Sequence, residues 1–143
     1  MKQIILLFAC LFALQGLAKA DDDRAITVDQ LPQKAQEFIQ KYFPKNEISL
    51  AKMEKDFWEK KYEVVFVNGE KAEFLKDGSW EKVDCKSVPT GIVPQAIKDY
   101  VSKHYPEAKI LKIERDSKTY EVKLNNQLEL EFNKAFQLID IDN

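Results

Sequence analysis

The chain has 143 residues, with 22 basic and 24 acidic side chains, one histidine and two cysteines. Its charges are mixed along the sequence without a basic block, which argues against nucleic acid or an anionic membrane surface as partner. Four glycines, one of them in the apolar leader, leave no phosphate-cradling loop.

Residues 1–20 read as an export signal. Lys2 supplies the positive start, Ile4 to Leu17 is an almost unbroken apolar run, and Ala18-Lys19-Ala20 has the small-x-small form of a cleavage site. The run is too short and wrongly flanked for a membrane span. Cleavage after Ala20 leaves 123 residues beginning Asp21-Asp22-Asp23, with a net charge of −4 once Lys2 and Lys19 are gone. That length suits one domain with a real core. A rival reading makes Cys10, in Leu7-Phe8-Ala9-Cys10, a lipid-attachment cysteine; Phe8 fits that pattern poorly, and too little apolar sequence precedes it. The expected destination is the periplasm or the exterior, with no membrane insertion after cleavage. Only Cys85 survives there, so no internal disulfide forms and the fold stands on packing. A half-buried free thiol is the expectation.

The first element of the mature chain is a helix. Leu31, Ala35, Phe38, Ile39 and Tyr42 form one apolar stripe, Pro32 lies at its start and Pro44 ends it. Ile48 to Met53 reads as a strand with untidy alternation. Tyr62, Val64 and Phe66 then alternate with Glu63, Val65 and Val67, and Asn68-Gly69 supplies a tight hairpin turn. Ala72 and Phe74 follow, Asp77-Gly78 makes a second turn, and Trp80 to Val83 closes the unit.

The same order then recurs. Val93, Ile97, Tyr100, Val101 and His104 rebuild the stripe between Pro94 and Pro106, and Ala108 to Ile113 rebuilds the first strand. Tyr120, Val122 and Leu124 lead through Asn125-Asn126 to Leu128, Leu130 and Phe132. Ala135-Phe136 stands where Asp77-Gly78 stood, predicting a turn of different shape. From Lys60 to Asp84 a shift of 58 matches nine of twenty-five residues, while a shift of 62 matches Pro32, Gln33, Lys41, Pro44 and Ile48. The chain therefore reads as two copies, about 26–85 and 86–142, each a helix plus four antiparallel strands. A sixty-residue unit buries only a marginal core. The expected fold is α+β: one domain over 21–143, with an eight-stranded antiparallel sheet and both helices on one face. Tyr62, Val64, Phe66, Ala72, Phe74, Tyr120, Val122, Leu124, Leu128, Leu130 and Phe132 form the covered face.

The segments LPQKAQEFIQKYFP, YEVVFVNGEKAEFLKDGSWEKVDC, VPQAIKDYVSKHYPEAKILKIERDSKTYEVKL and LELEF resemble the PepSY-like, beta-lactamase-inhibitor-protein-like family of small exported proteins of Bacteroides and relatives. The resemblance spans about residues 26–142. It implies a tandem α-β-β-β-β architecture and a binding rather than catalytic role, and it carries over no functional residue.

The side chains themselves show no catalytic centre. His104 fills the slot of Tyr42 and reads as an aromatic-sized residue at a helix end rather than a base or ligand. Neither a nucleophile with its base nor a zinc set is legible, so no catalytic, cofactor or metal residue is expected. Glu63, Glu73, Glu121, Glu129 and Glu131 fall on the open sheet face, where alternation with Lys71 and Lys123 predicts cross-strand ion pairs. Val65, Val67 and Leu75 interrupt that polarity in the first copy only.

The difference between the two shifts places four extra residues between Ile48 and Tyr62, within EKDFWEKK. Phe57 and Trp58 therefore sit at a lengthened hairpin, either as interface anchors or with one folded back over the sheet. The expected function is a non-catalytic exported binding module that grips an envelope or secreted protein, as an inhibitor, through Phe57, Trp58, Glu63, Val65, Val67, Glu73 and Leu75. The alternative is a periplasmic carrier of a small ligand or peptide.

Overall fold

The computed structural model describes residues 22–143; the leader and Cys10 lie outside them. Nine strands form one antiparallel sheet in sequential order: β1 (Asp22–Ile26), β2 (Ile48–Lys55), β3 (Lys60–Phe66), β4 (Lys71–Leu75), β5 (Trp80–Asp84), β6 (Ile110–Arg115), β7 (Thr119–Leu124), β8 (Glu129–Asn133) and β9 (Leu138–Asp142). Helix α1 (Gln33–Tyr42) connects β1 to β2, and α2 (Gln95–His104) connects β5 to β6.

The prolines act at the helix ends as their chemistry requires. Pro32 and Pro94 are the N-caps, and no side chain caps either helix. Phe43 and Tyr105 precede Pro44 and Pro106 and leave helical geometry, with ψ of 48° and 64°. The buried residues within the helices are Ala35 and Ile39 in α1 and Ile97 and Val101 in α2.

Cross-strand register shows that both helices cover the same face. Tyr62 stands opposite Phe74, Val64 opposite Ala72, Ala72 opposite Val83, Val83 opposite Ile113, Ile113 opposite Val122 and Val122 opposite Leu130. Residues directly opposite share a face, so these form one continuous apolar surface. Phe38 of α1 meets Phe74 edge-on at 5.4 Å, and Tyr100 of α2 meets Phe132 edge-on at 5.4 Å. The core is a single cluster crossing both halves of the chain. Its fully buried side chains include Phe66, Phe74, Phe132, Ile97 and Ile113, each stabilising by roughly 1.5–3 kcal/mol. Tyr120 and Leu128, expected inside, are only partly buried at its margin.

The seam between the halves is the β5–β6 pairing, with Lys82 opposite Glu114, Val83 opposite Ile113 and Asp84 opposite Lys112. Arg115 pins it: its guanidinium lies 3.8 Å from the Trp80 ring centroid, and its Nε donates to the Trp80 carbonyl at 2.9 Å.

Two further sequence expectations change. The sheet has nine strands rather than eight, because Asp22 to Ile26 pairs with Lys55 to Ala51. This edge segment is DDRAI; its charges hide the alternation, and Ile26 packs against the core cluster. The untidy patterns of β2 and β6 come from bulges, between Ile48 and Leu50 and between Ile110 and Lys112. Each bulge changes which face the following residues occupy.

The β8–β9 turn also keeps the shape of the β4–β5 turn. In the latter, Gly78 N–H donates to Leu75 O and Leu75 N–H donates to Ser79 O. In the former, Phe136 N–H donates to Asn133 O and Asn133 N–H donates to Gln137 O. Gly78 has φ +91° and Phe136 φ +63°. Asn133 Oδ1 accepts from Ala135 N–H and Gln137 N–H at 2.9 and 3.0 Å, holding the turn without a glycine.

Candidate functional site

On the uncovered face the pairing register strings together Lys52, Glu63, Glu73, Lys82, Glu114, Glu121, Glu131 and Asp140, one from each of β2 to β9. The two ends of this row differ. Lys52 Nζ lies 3.6 Å from Glu63 and 3.3 Å from Glu54, and Lys82 Nζ lies 3.7 Å from Glu73. Lys61 Nζ donates to Glu81 at 2.8 Å and lies 3.3 Å from Glu59, which raises its pKa above the ordinary lysine value, Glu81 contributing most.

From Glu114 onward the row is acid against acid. Burial, then the charge of Glu129, with Glu114 and Glu131 adding to it, raises the Glu121 carboxyl. Burial likewise raises Glu73, with Lys82 pulling the other way. The bases in these ion pairs are thus Lys52, Lys61 and Lys82, not the expected Lys71 and Lys123. Across the ladder Lys71 stands opposite Val65 and Asp84, and Lys123 opposite Glu129 and Lys112, so each faces one carboxylate. Neither reaches a carboxylate at ion-pair distance among the described residues.

Of the seven nominated residues, the structure brings four into one patch. Glu63 stands opposite Glu73, and Val65 and Leu75 share that face but flank the pair from opposite ends, Val65 opposite Lys71 and Leu75 opposite Lys61. Val67 lies just past the end of β3, 65% exposed, its N–H donating to Glu47 O at 2.8 Å. Leu50 joins the patch opposite Val65 and is exposed. Its place was hidden because the β2 bulge turns it to the open face.

Phe57 and Trp58 stand apart from that patch, at the tip of the β2–β3 hairpin. Asp56 N–H donates to Glu59 O at 3.0 Å, while the Trp58 and Glu59 N–H groups donate to Asp56 Oδ1 at 2.9 and 2.7 Å. These backbone donors, Glu59 foremost, hold the Asp56 carboxyl below its usual pKa. The β6–β7 hairpin closes in the same way: Asp116 N–H donates to Thr119 O at 3.0 Å, and the Lys118 and Thr119 N–H groups donate to Asp116 Oδ1 at 2.7 and 2.8 Å.

The four extra residues are therefore not in the turn. They extend the ladder by two pairs, Glu54 opposite Lys61 and Lys55 opposite Lys60, whereas the other hairpin ends at Arg115 opposite Tyr120. Two residues of strand carry the tip roughly 6.5 Å further out. There Phe57 is 82% and Trp58 91% exposed, so neither folds back over the sheet. The corresponding tip residues of the second hairpin are Ser117 and Lys118.

The remaining chemical groups are occupied structurally. His104 is exposed and lies against the Tyr100 ring at 4.2 Å. Cys85 is a buried free thiol; burial, then the Glu70 and Asp84 carboxylates, pushes it up to about 12. Burial raises the Glu70 carboxyl, but donation from Lys86 N–H, Asn68 and Asn46 outweighs it, and the net shift is downward. Among the described residues, no three of His, Cys, Asp and Glu gather where they could hold a metal ion. An open depression of about 470 Å³ beside Cys85 is lined by Asn68, Gly69, Glu70, Asp84, Lys86 and Leu111. No helix among the described residues is long and apolar enough to cross a membrane.

The family model described as "Putative beta-lactamase-inhibitor-like, PepSY-like" matches residues 60–140. Among solved structures, a Bacteroides thetaiotaomicron protein described as a "putative calcium-regulated periplasmic protein" is 59% identical, with TM-score 0.84, covering 85% of this chain and 98% of its own. A Bacteroides vulgatus protein described as a "putative periplasmic protein" of the DUF2874 family is 56% identical, with TM-score 0.84, covering 87% of this chain and 99% of its own. Another Bacteroides vulgatus protein, described as a "putative periplasmic protein of unknown function", is 36% identical, with TM-score 0.81 and coverage of 85% of this chain and 100% of its own. No curated protein matches the chain.

Proposed function

Because the chain belongs to the PepSY-like, beta-lactamase-inhibitor-like family, we propose that it is a non-catalytic exported binding module. It recognises another protein of the envelope or the exterior through the open sheet face and the Phe57–Trp58 hairpin. The inhibitor-like side of its family gives the mode of action: occlusion of the surface it grips. Cleavage after Ala20 releases it into the periplasm, in keeping with the periplasmic descriptions of its relatives. Its two halves are copies of one α-β-β-β-β unit, a reading supported by the matching Asp56 and Asp116 turns.

The observation that carries the proposal is the pair of aromatics left almost wholly in water, 82% and 91% exposed, at the end of a ladder two pairs longer than its counterpart. Asp56 and the backbone close the turn, so folding does not call for Phe57 or Trp58. Exposed large aromatics with no folding role are what interface anchors look like. The calcium regulation named for the Bacteroides thetaiotaomicron relative is a description of that protein and forms no part of this proposal.

The test is cross-linking capture of the partner from an envelope extract, followed by titration of the purified partner. The double change Phe57→Ser and Trp58→Lys copies the second hairpin's tip. It should weaken binding by about 30-fold or more, with Val65→Glu weakening it as well and the unfolding temperature unchanged. Equal affinity of the parent and both variants would overturn the proposal.

A further inference from the structure

Strand β9 ends the sheet, and its outer edge pairs with no strand among the described residues. An edge of this kind presents backbone N–H and C=O groups ready to accept a further strand. Ile139 and Ile141 on β9 are 51% and 46% exposed. Two β-branched side chains left at an open edge favour addition of a strand.

The two faces of β9 define what that strand must carry. Ile141 stands opposite Leu130, a fully buried residue, so it lies on the helix-covered side. Asp140 stands opposite Glu131, and Asp142 opposite Glu129, on the open side. Glu131 in turn faces Glu121, and Glu121 faces Glu114. Like charges directly opposite are destabilising. No lysine or arginine closes to ion-pair distance on these acids among the described residues. A tenth strand with a base against Asp140 and Asp142 and an aliphatic residue against Ile141 satisfies both faces at once.

A second copy of this chain does not supply that chemistry. β9 paired with itself, core side inward, sets aspartate against aspartate. The opposite edge, β1, puts Asp23 and Ala25 on the open side, opposite Glu54 and Lys52. We infer that the β9 edge is a strand-addition site for an extended segment of another protein in which basic residues alternate with aliphatic ones. This rests on edge geometry and charge, independently of the aromatic hairpin on β2 and β3.

The probe is a fluorescent peptide of about eight residues alternating lysine and valine. Its controls are the same peptide with a central proline and a glutamate–valine peptide. Anisotropy gives affinity, and amide hydrogen exchange gives location. The lysine–valine peptide should bind and slow exchange across residues 139–142, while both controls fail to bind. Asp140→Lys with Asp142→Lys should weaken binding by about ten-fold or more, and Ile141→Ser should weaken it as well in a protein that still unfolds cooperatively. Trp58→Lys should leave it unchanged, which separates this site from the hairpin. Unaltered β9 exchange at saturation, or affinity indifferent to the aspartate changes, overturns the inference. So does sedimentation showing a dimer that Asp140→Lys dissociates, since the occupant is then a second copy.

Discussion

Gly69 and Gly78 both have φ +91°, so alanine at either position must adopt the same left-handed backbone. They differ in what an added Cβ meets. At Gly69 nothing lies within 4 Å; at Gly78 the Cβ falls 2.9 Å from Lys34 Cβ and 3.0 Å from both Ala35 N and Pro32 Cβ. The left-handed conformation costs alanine about 1–2 kcal/mol, offset by about 0.4–1 kcal/mol from a less flexible unfolded chain. Gly69→Ala should therefore lose about 1 kcal/mol. Gly78→Ala adds a collision with the start of α1, where a backbone nitrogen cannot swing aside, at about 1–3 kcal/mol more. Urea unfolding followed by tryptophan fluorescence measures both, read as midpoint shifts at a common slope. Equal losses, or a larger loss at Gly69, would refute the argument that the β4–β5 turn and the first turn of α1 are packed backbone to backbone.

Gln127 is exposed with φ +78°, in the place corresponding to Gly69. Gln127→Gly should gain about 0.5–1 kcal/mol, seen as a rise of about 2–5 °C in unfolding temperature; a fall would contradict the strain assignment. Phe136→Gly should gain less, because it also loses the Tyr120 stack at 5.5 Å. Glu121 has a native pKa above its ordinary value, so its charge destabilises the fold at neutral pH, and the penalty fades as pH falls through the native pKa toward 4.5. Glu121→Gln should accordingly raise the urea midpoint at pH 7 by a margin that shrinks on acidification; a margin independent of pH would show that charge is not the cause. Cys85, buried with its thiol raised to about 12, should react with a thiol reagent at the rate of unfolding, and rapid labelling of the native protein would contradict its burial.

Legibility in the sequence followed how much each segment buries and how regularly. β3 shows clean alternation because Tyr62, Val64 and Phe66 all enter the core. β1 escaped because three of its five residues are charged and, at an edge, it can pair along one side only. Leu50 went unassigned for another reason: the bulge beside it breaks the period of two. The β8–β9 turn was hidden by its residue types, since Asn133 and a left-handed phenylalanine reproduce a geometry usually signalled by glycine. At the candidate site, the four-residue surplus correctly marked a longer hairpin. Its division between two strands depended on recognising Asp56 and Asp116 as the same turn, and the letters FWEKK against SKT obscure that.

The self-closing turn at Asp56 has a consequence for how such a molecule changes over time. When one carboxylate and three amides complete the bend, the two outermost side chains are released from any duty to the scaffold. Under the proposed binding role, a change of target would then need only the exchange of this dipeptide, with the scaffold left as it is.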